Sequence, residues 1–249
     1  MKLFDFIKLF SSERRLEMLE ALFRGENADA IRTRFPGSTY AYTLNTLKIA
    51  GMVSEMGREI SITPKGRASL ITLAQAKESL ATFDAISRFY HDHDIELPDE
   101  FYSRLYQISD IEAVISDPSD VLKPHRIFSE HILRSHEIYG VSPLIYPDYP
   151  TLFAGIIDSA TIISLVVTEE IFHAISEYPL EGYKNLEIYV IDRNPKIAVT
   201  VTDTFLSIGF FYRSGLYDFS RDLIATSPSA LNFGRDLVEY YRRQARKVI

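Results

Sequence analysis

Residues 38–66, STYAYTLNTLKIAGMVSEMGREISITPKG, decide the fold of the N-terminal part of the chain. Ser38 stands as the N-cap of a helix over residues 39–50. The apolar residues of that helix recur at i, i+3 and i+6: Ala41, Leu44 and Leu47. The other face carries polar residues: Tyr40, Thr43, Asn45, Thr46 and Lys48. Gly51 then supplies the left-handed residue that helix C-termini favour.

A hairpin follows this helix. Two short alternating runs lie around Val53 and over residues 60–62, and Gly57-Arg58 forms the turn between them. Thr63 and Pro64 start a further helix, because proline at the first helical position loses no hydrogen bond. A polar helix face beside an arginine-tipped hairpin suits the DNA major groove and its adjacent phosphates.

The sequence therefore predicts a DNA-binding surface. The residues expected to reach bases or nearby phosphates are Ser38, Thr39, Tyr40, Tyr42, Thr43 and Thr46. The cations expected to neutralise phosphate are Arg34, Lys48, Arg58, Lys65 and Arg67. The alternative for Tyr40 or Tyr42 is packing into the domain itself.

The residues before this stretch are helical in pattern. Ser12 is placed to cap a helix over 13–23, and Asn27 or Asp29 starts a shorter one before the Pro36-Gly37 turn. Three helices and a hairpin are the order of a winged helix, with a ligand-free helical bundle as the alternative. We expect a winged helix-turn-helix over 1–70, a connecting helix and linker over 71–97, and an effector domain over 98–249.

Charge divides the chain in the same way. The whole protein of 249 residues has a formal net charge of −7. Residues 1–88 hold 13 Lys and Arg against 10 Asp and Glu, a net of +3, and the remainder holds 14 against 24, a net of −10. A mildly basic first part joined to an acidic remainder is expected when only one domain meets nucleic acid.

Composition excludes several classes of protein. There is no cysteine, so disulfides, thiolate metal sites and cysteine nucleophiles are absent. No apolar run is long enough to span a membrane, and residues 1–5 do not begin a secretory signal. We expect a cytoplasmic protein without a cofactor. His91-x-His93 invites a metal site, but no third ligand is identifiable and a solvated helix end accounts for it better.

The C-terminal part alternates strands and helices. Strands are predicted over 111–115, 138–141, 161–167, 186–191, 197–202, 205–212 and 222–225. Helices are predicted over 64–90, 124–135, 149–157, 169–176 and 228–247. The fold class is therefore α+β: a winged helix joined by a long helix to a mixed α/β sheet, with a phospholipase-D-like half-domain suspected.

A set of C-terminal residues resembles one family. The set is Val201-Thr202-Asp203, residues 205–209 (FLSIG), Gly215, Tyr217-Asp218, residues 221–224 (RDLI), residues 234–237 (GRDL) and residues 240–242 (YYR). It is similar to the effector domain of archaeal, ArsR-like winged-helix regulators related to the methanogenesis regulatory proteins (FilR-type). Phe233 stands where the family shows a tryptophan. The resemblance covers residues 90–249 and implies transcriptional control by an intracellular signal.

Polar residues of this part are candidates for an effector site. They are His125, Arg126, Asp203, Asp218, Arg221 and Asp222. In one interpretation Arg221 meets an anionic effector, and His125 with Arg126 uses a helix N-terminus to attract an anion. In the other interpretation the aspartates fix turns and pair with Arg221.

We expect a homodimeric, ligand-responsive transcriptional regulator that binds double-stranded DNA and is not an enzyme. None of the six histidines is followed two residues later by the lysine of phospholipase-D chemistry, and no phosphate loop or nucleophile elbow is present. A protein-interaction module without DNA binding is the first alternative, and a phosphodiesterase-type enzyme the second.

Overall fold

The structure is a computed structural model that describes residues 2–57, 59–89, 91–178, 180 and 182–249. The chain divides into two compact units: the first ends at Lys77 and the second begins at Glu78. Within the described ranges, no helix combines the length and hydropathy needed to cross a membrane.

The first unit contains four helices, a hairpin and the start of a fifth helix. The elements are α1 (Leu3–Phe10), α2 (Glu13–Phe23), α3 (Ala28–Arg34), α4 (Gly37–Ile49), β1 (Val53–Met56), β2 (Glu59–Ile62) and α5 (Pro64–Ser87). Helix α1 is absent from the sequence prediction. The Asn27 side chain caps α3, accepting a 2.8 Å hydrogen bond from the Ala30 N–H, whereas Ser12 precedes α2 without a side-chain cap.

The core of the first unit is built from α1–α4, the hairpin and the first turns of α5. Met18 and Leu19 of α2 pack with Ile31 of α3 and Leu47 of α4, and all four are almost completely buried. Val53 and Ile62 face each other across the hairpin and extend the same core. This core fixes the orientation of α4 and the hairpin.

Helix α5 begins where the sequence predicts. The Thr63 hydroxyl accepts from the Gly66 N–H at 3.0 Å, as a helix N-cap does. The helix ends at Ser87, before the predicted end at Tyr90, which lies outside the described residues. In the second unit, the Thr82 hydroxyl donates to the Leu105 carbonyl at 3.1 Å and holds this end of α5 in place.

The second unit alternates strands and helices after two short helical turns. Its strands are β3 (His93–Asp94), β4 (Glu112–Ile115), β5 (Glu137–Ser142), β6 (Ile162–Thr168), β7 (Leu186–Ile191), β8 (Ile197–Thr202), β9 (Leu206–Tyr212), β10 (Arg221–Ala225) and β11 (Arg246–Lys247). Its helices are α6 (Asp99–Tyr102), α7 (Lys123–Ile132), α8 (Tyr149–Ile156), α9 (Glu169–Ile175) and α10 (Pro228–Arg242), with a 3-10 helix over Leu105–Ile108. The predicted strands are all found, whereas α10 ends earlier than expected and β3 and β11 are new.

The strands form one mixed sheet in the order β11-β7-β6-β5-β8-β9-β10-β4, with β3 paired to the edge of β9. Among the described residues, the parallel pairs are β5–β6 and β6–β7, and the other strand pairs are antiparallel. A mixed sheet covered by helices agrees with the predicted α+β class. The helices that connect the parallel strands are α8 and α9.

Apolar residues cover both faces of this sheet. On one face, Phe233 and Leu237 of α10 pack against β8 and β9. On the other face, α7, α8 and α9 pack against Ile163, Leu186 and Ile188. The second face carries the site residues of this unit.

The structure corrects the prediction for His93. His93 belongs to β3, opposite Tyr212 of β9, and its side chain has no exposed surface. It is therefore not at a solvated helix end, because a long-range strand pair that sequence spacing does not reveal encloses it. His91 is exposed, and no group of three or more His, Asp or Glu suited to a metal occurs among the described residues.

Candidate nucleic-acid interface and effector cavity

Helix α4 has well-defined ends. It begins at Gly37 after Pro36, and Ser38 is therefore its second residue and not its cap. At its C-terminus, Gly51 has a φ of 74°. The Gly51 N–H donates to the Lys48 carbonyl and the Met52 N–H to the Leu47 carbonyl, both at 2.9 Å. This is a Schellman motif, so the predicted role of Gly51 is confirmed.

The outward face of α4 differs from the predicted one. Thr43 is 3% exposed and lies beside Leu44 and Leu47, while Ala41 is exposed. The prediction that Ala41 faces inward and Thr43 outward is wrong. The small Thr43 side chain packs toward the core of the first unit, as Leu44 and Leu47 do. The buried side of α4 therefore includes position 43 in place of position 41. Thr43 therefore leaves the set of residues able to reach DNA.

The residues that do face outward form what we call the α4 outer face: Ser38, Ala41, Tyr42, Asn45, Lys48 and Ile49. Of the other predicted base-reading residues, Thr39, Tyr40 and Thr46 are half-buried. The Thr46 hydroxyl donates to the Tyr42 carbonyl at 2.8 Å, so it is already engaged within the helix.

Tyr40 packs against the unit. Its ring contacts the core and lies under the Arg32 guanidinium, 5.7 Å from the ring centroid. Desolvation raises the pKa of its hydroxyl, despite the nearby charge of Arg32. Arg32 is exposed and is absent from the predicted set of phosphate-binding cations.

The predicted phosphate-binding cations have partners within the unit. Arg34 pairs with Glu26, and Lys48 of α4 pairs with Glu55 of β1. The Lys65 ammonium donates to the Ala50 carbonyl at 2.6 Å, and the Arg67 guanidinium lies 5.4 Å from the centroid of the Phe23 ring. Arg58 lies outside the described residues. The hairpin itself is regular, with Ser54 opposite Ser61 and their hydroxyls 2.9 Å apart.

In the second unit, four of the six predicted effector residues come together. His125, Asp218, Arg221 and Asp222 line a small cavity of about 30 Å³ between α7 and the β9–β10 region. The other two lie elsewhere in ion pairs and turns. Arg126 pairs with Asp120 and Glu130 at the surface, and Asp203 accepts from the His136 N–H at 3.1 Å.

Arg221 is paired in this arrangement. Its Nε lies 3.5 Å from Asp218 Oδ2 and its Nη2 lies 3.9 Å from Asp92 Oδ2. Asp218 also accepts from the Ser220 N–H at 2.9 Å and lies 2.9 Å from the ring of His93. Burial acts to raise the pKa of Asp218, but hydrogen bonds from Ser220, Tyr212 and His93 outweigh it and hold the pKa below its ordinary value.

The pKa of Asp222 is shifted in the opposite direction to that of Asp218. It is buried on β10, where it accepts from the Ser207 hydroxyl at 2.6 Å and from the Leu223 N–H at 3.0 Å. Desolvation raises the pKa of this carboxyl to about 7, against the effect of these two hydrogen bonds. Burial likewise raises the pKa of the neighbouring Tyr146 and Tyr217 hydroxyls.

A glycine makes room for this cluster. A Cβ built on Gly209 would lie 1.9 Å from the Tyr217 hydroxyl, so no other residue fits under that ring. Both residues belong to the sequence pattern that carries the family resemblance. Their contact explains why a glycine stands at position 209, opposite the tyrosine at position 217.

A larger cavity lies next to the small one, and no single sequence motif signals it. Its volume is about 320 Å³, and its walls are side chains of α8, α9 and strands β5–β7. Phe128, Ser142, Leu144, Tyr149 and Thr200 line both cavities. A void of this kind depends on how side chains from distant segments pack, which spacing along a sequence does not encode.

Comparison with known proteins bears on the second unit most directly. Residues 121–244 match the family model described as "Methanogenesis regulatory protein FilR1, middle domain". The chain is also 25% identical to Methanogenesis regulatory protein FilR1 of Methanothrix harundinacea (strain 6Ac), an alignment that covers 97% of this chain and 58% of that protein. The chain thus spans little more than half the length of this relative. The resemblance inferred from the C-terminal sequence pattern is confirmed.

Among solved structures, TrmBL2 is similar at a TM-score of 0.46 and 11% identity, over 86% of this chain and 84% of that chain. It is described as an archaeal chromatin protein with a novel mode of DNA binding.

Proposed function

We propose, from the match of residues 121–244 to the FilR1 middle-domain model, that this chain is a DNA-binding transcriptional regulator. The first unit binds duplex DNA through α4 and the hairpin, and the second unit responds to a small-molecule effector. The relative from Methanothrix harundinacea is named as a regulatory protein, which supports the proposal.

The observation that carries the proposal is the α4 outer face. It presents Tyr42 and Asn45 to solvent beside the methyl group of Ala41, directly before an exposed hairpin. An asparagine amide pairs in a bidentate way with adenine, and a small methyl group packs on the methyl of thymine. These groups supply sequence readout on a helix of the width that a major groove admits.

The cations around this face support phosphate binding. Lys48 and Arg34 are surface residues held in ion pairs with Glu55 and Glu26. Exposed ion pairs contribute only about 0–1 kcal/mol, so a DNA phosphate can replace the carboxylate at small cost. Phosphate contacts then provide most of the affinity.

We further propose that the regulator acts as a homodimer. Leu80 of helix α5 is 68% exposed and offers an apolar contact for a second copy. Two copies would read half-sites about one helical turn apart. An effector that prefers one dimer geometry would change the spacing of the two α4 helices and hence the affinity for DNA.

The proposal is tested by sequencing genomic DNA captured by the purified full chain, followed by binding assays on the enriched sequence. We expect Asn45→Ala to weaken binding by about tenfold or more. The matched control is Asn232→Ala, which removes an exposed asparagine from α10 and leaves binding unchanged. Failure to enrich any duplex sequence would overturn the proposal and favour an interaction module that does not bind DNA.

A further inference from the structure

We propose that the second unit binds a small, uncharged, amphipathic molecule, whose apolar body fills the 320 Å³ cavity and whose single hydroxyl or carbonyl group lies beside Ser142, Tyr149 and Thr200. Binding itself is independent of DNA. Only the role of this molecule as the effector rests on the function proposed above.

The size of the cavity sets the size of the ligand. Pockets that bind small molecules begin at about 300 Å³, and an apolar cavity of about 150 Å³ holds one benzene molecule. A volume of about 320 Å³ therefore suits a molecule of roughly twice that bulk. Covering its apolar walls with an apolar ligand removes that surface from water, which favours binding.

The walls set the chemistry of the ligand body. They are aliphatic and aromatic, including Ile163 and Leu165 of β6, Ile171 of α9 and Phe153 of α8. No charged side chain occurs among the described residues that line the cavity. A charged group transferred into such surroundings loses its hydration without a partner, so the ligand body is apolar.

One end of the cavity is polar. Ser142, Tyr149 and Thr200 lie where the large cavity meets the small one, which has a volume of about 30 Å³. The Ser142 hydroxyl donates to the Leu144 carbonyl at 2.9 Å and is also hydrogen-bonded to the Tyr149 side chain. A hydroxyl oxygen has two lone pairs, so one acceptor position on Ser142 remains for a ligand. A volume of this size holds about one water molecule or a ligand group of similar size.

The charged side chains around the small cavity disfavour the binding of an anion at the polar end of the large cavity. Asp218 and Asp222 line the small cavity, and Asp148 adjoins it through its 2.8 Å contact with His125. The guanidinium of Arg221 is already shared between Asp218 and Asp92. A carboxylate or phosphate would meet carboxyl groups there, whereas a hydroxyl or carbonyl group meets hydrogen-bonding partners without repulsion.

The test uses 1-octanol as the probe and octanoate at pH 8 as its charged counterpart, with binding to the full chain followed by calorimetry and thermal melting. We expect 1-octanol to bind and raise the melting temperature, and octanoate to bind at least about tenfold more weakly. Leu165→Phe, which fills the cavity, should reduce octanol affinity by about tenfold or more. Ser142→Ala should reduce it by about three- to tenfold.

The matched control is Ser164→Ala on the same sheet. Ser164 is buried, and within the part of the chain that the structure describes its hydroxyl has no hydrogen-bond partner and it does not line the cavity. Octanol affinity should therefore stay within about twofold. If Leu165→Phe fails to fold, Ile171→Phe fills the cavity from the half-buried side of α9.

Absence of octanol binding, equal binding by the folded cavity-filling variant, or octanoate binding as tight as octanol would each overturn the inference. DNA affinity is measured separately with and without octanol. Octanol binding without DNA binding would leave the cavity inference standing and overturn the proposed function.

Discussion

The side chains of His93 and Asp218 form a buried pair that fastens β3 to the turn after β9. His93 Nε2 lies 2.9 Å from Asp218 Oδ2, and the two side chains are 0% and 2% exposed. His93 Nδ1 lies 3.0 Å from the Phe89 carbonyl oxygen. An acceptor oxygen therefore lies beside each ring nitrogen of His93.

Removing the charge of Asp218 should destabilise the protein. Asp218→Asn leaves the buried imidazole without its carboxylate, so we expect a loss of about 3 kcal/mol in the free energy of unfolding, measured by urea denaturation. The control is Asp236→Asn at an exposed pair with Arg104, with an expected effect of about 0–1 kcal/mol. Equal losses in the free energy of unfolding for the two variants would show that the buried pair stabilises the fold no more than an exposed pair does.

The two aspartates of the small cavity should give opposite pH dependence. Asp222 has a pKa raised to about 7, so the folded state binds its proton more tightly than the unfolded state does. Its unfavourable contribution is absent below pH 4 and grows as the pH rises to 7. We therefore expect Asp222→Asn to flatten the loss of stability between pH 4 and 7, as measured by thermal melting at a series of pH values.

The contribution of Asp218 to stability changes with pH in the opposite direction to that of Asp222. Its pKa is lowered in the folded state, so its stabilising contribution is complete above its ordinary pKa and is lost as the pH falls through the folded value. The wild type should therefore lose stability on acidification below about pH 4, and Asp218→Asn should lose less. Parallel curves for wild type and both variants would contradict these assignments.

A methyl group at position 209 should displace Tyr217. Gly209→Ala puts a Cβ within 1.9 Å of the Tyr217 hydroxyl and 2.7 Å of its Cζ, so the ring must move and we expect a destabilisation of about 1–3 kcal/mol. Gly140→Ala on β5 is the milder control, because its closest neighbour is the flexible end of Leu165 at 3.1 Å. A Gly209→Ala protein as stable as the Gly140→Ala protein would refute the close contact.

The features that the sequence predicts correctly have local causes. Gly51 ends α4 and Thr63 caps α5, because each interaction joins residues only three to five positions apart. The pattern of apolar residues likewise predicts the strands from which the sheet of the second unit is built. The orientation of α4 was misjudged because alanine and threonine are small enough for either environment, and packing decides between them.

Features that depend on distant residues stay hidden in the sequence. Strand β3 is two residues long and exists through its pairing with β9. The cations of the first unit meet carboxylates such as Glu26 and Glu55, and neither is marked by spacing. Asp218, Arg221 and Asp222 lie together, and His125, which the sequence assigned to a separate anion site with Arg126, joins them. Arg126 and Asp203 lie elsewhere, because a polar residue near a turn often serves that turn.

Releasing Lys48 should strengthen DNA binding. Glu55→Gln removes the carboxylate that holds the Lys48 ammonium, so the cation becomes free for a phosphate and affinity at low salt should rise several-fold. Fluorescence anisotropy with duplex DNA measures the change. Glu17→Gln on α2, which releases Arg14 with the same change in charge, is the control and should have a smaller effect.

The most direct measurement for the central claim is the affinity of the full chain for its enriched duplex as a function of salt concentration, in wild type and Lys48→Gln. The proposal predicts that the logarithm of the association constant falls steeply with the logarithm of salt, and that the slope decreases by about 1 in the variant. A binding constant that does not change with salt, or the same slope in both proteins, would contradict the assignment of α4 and its lysine to DNA.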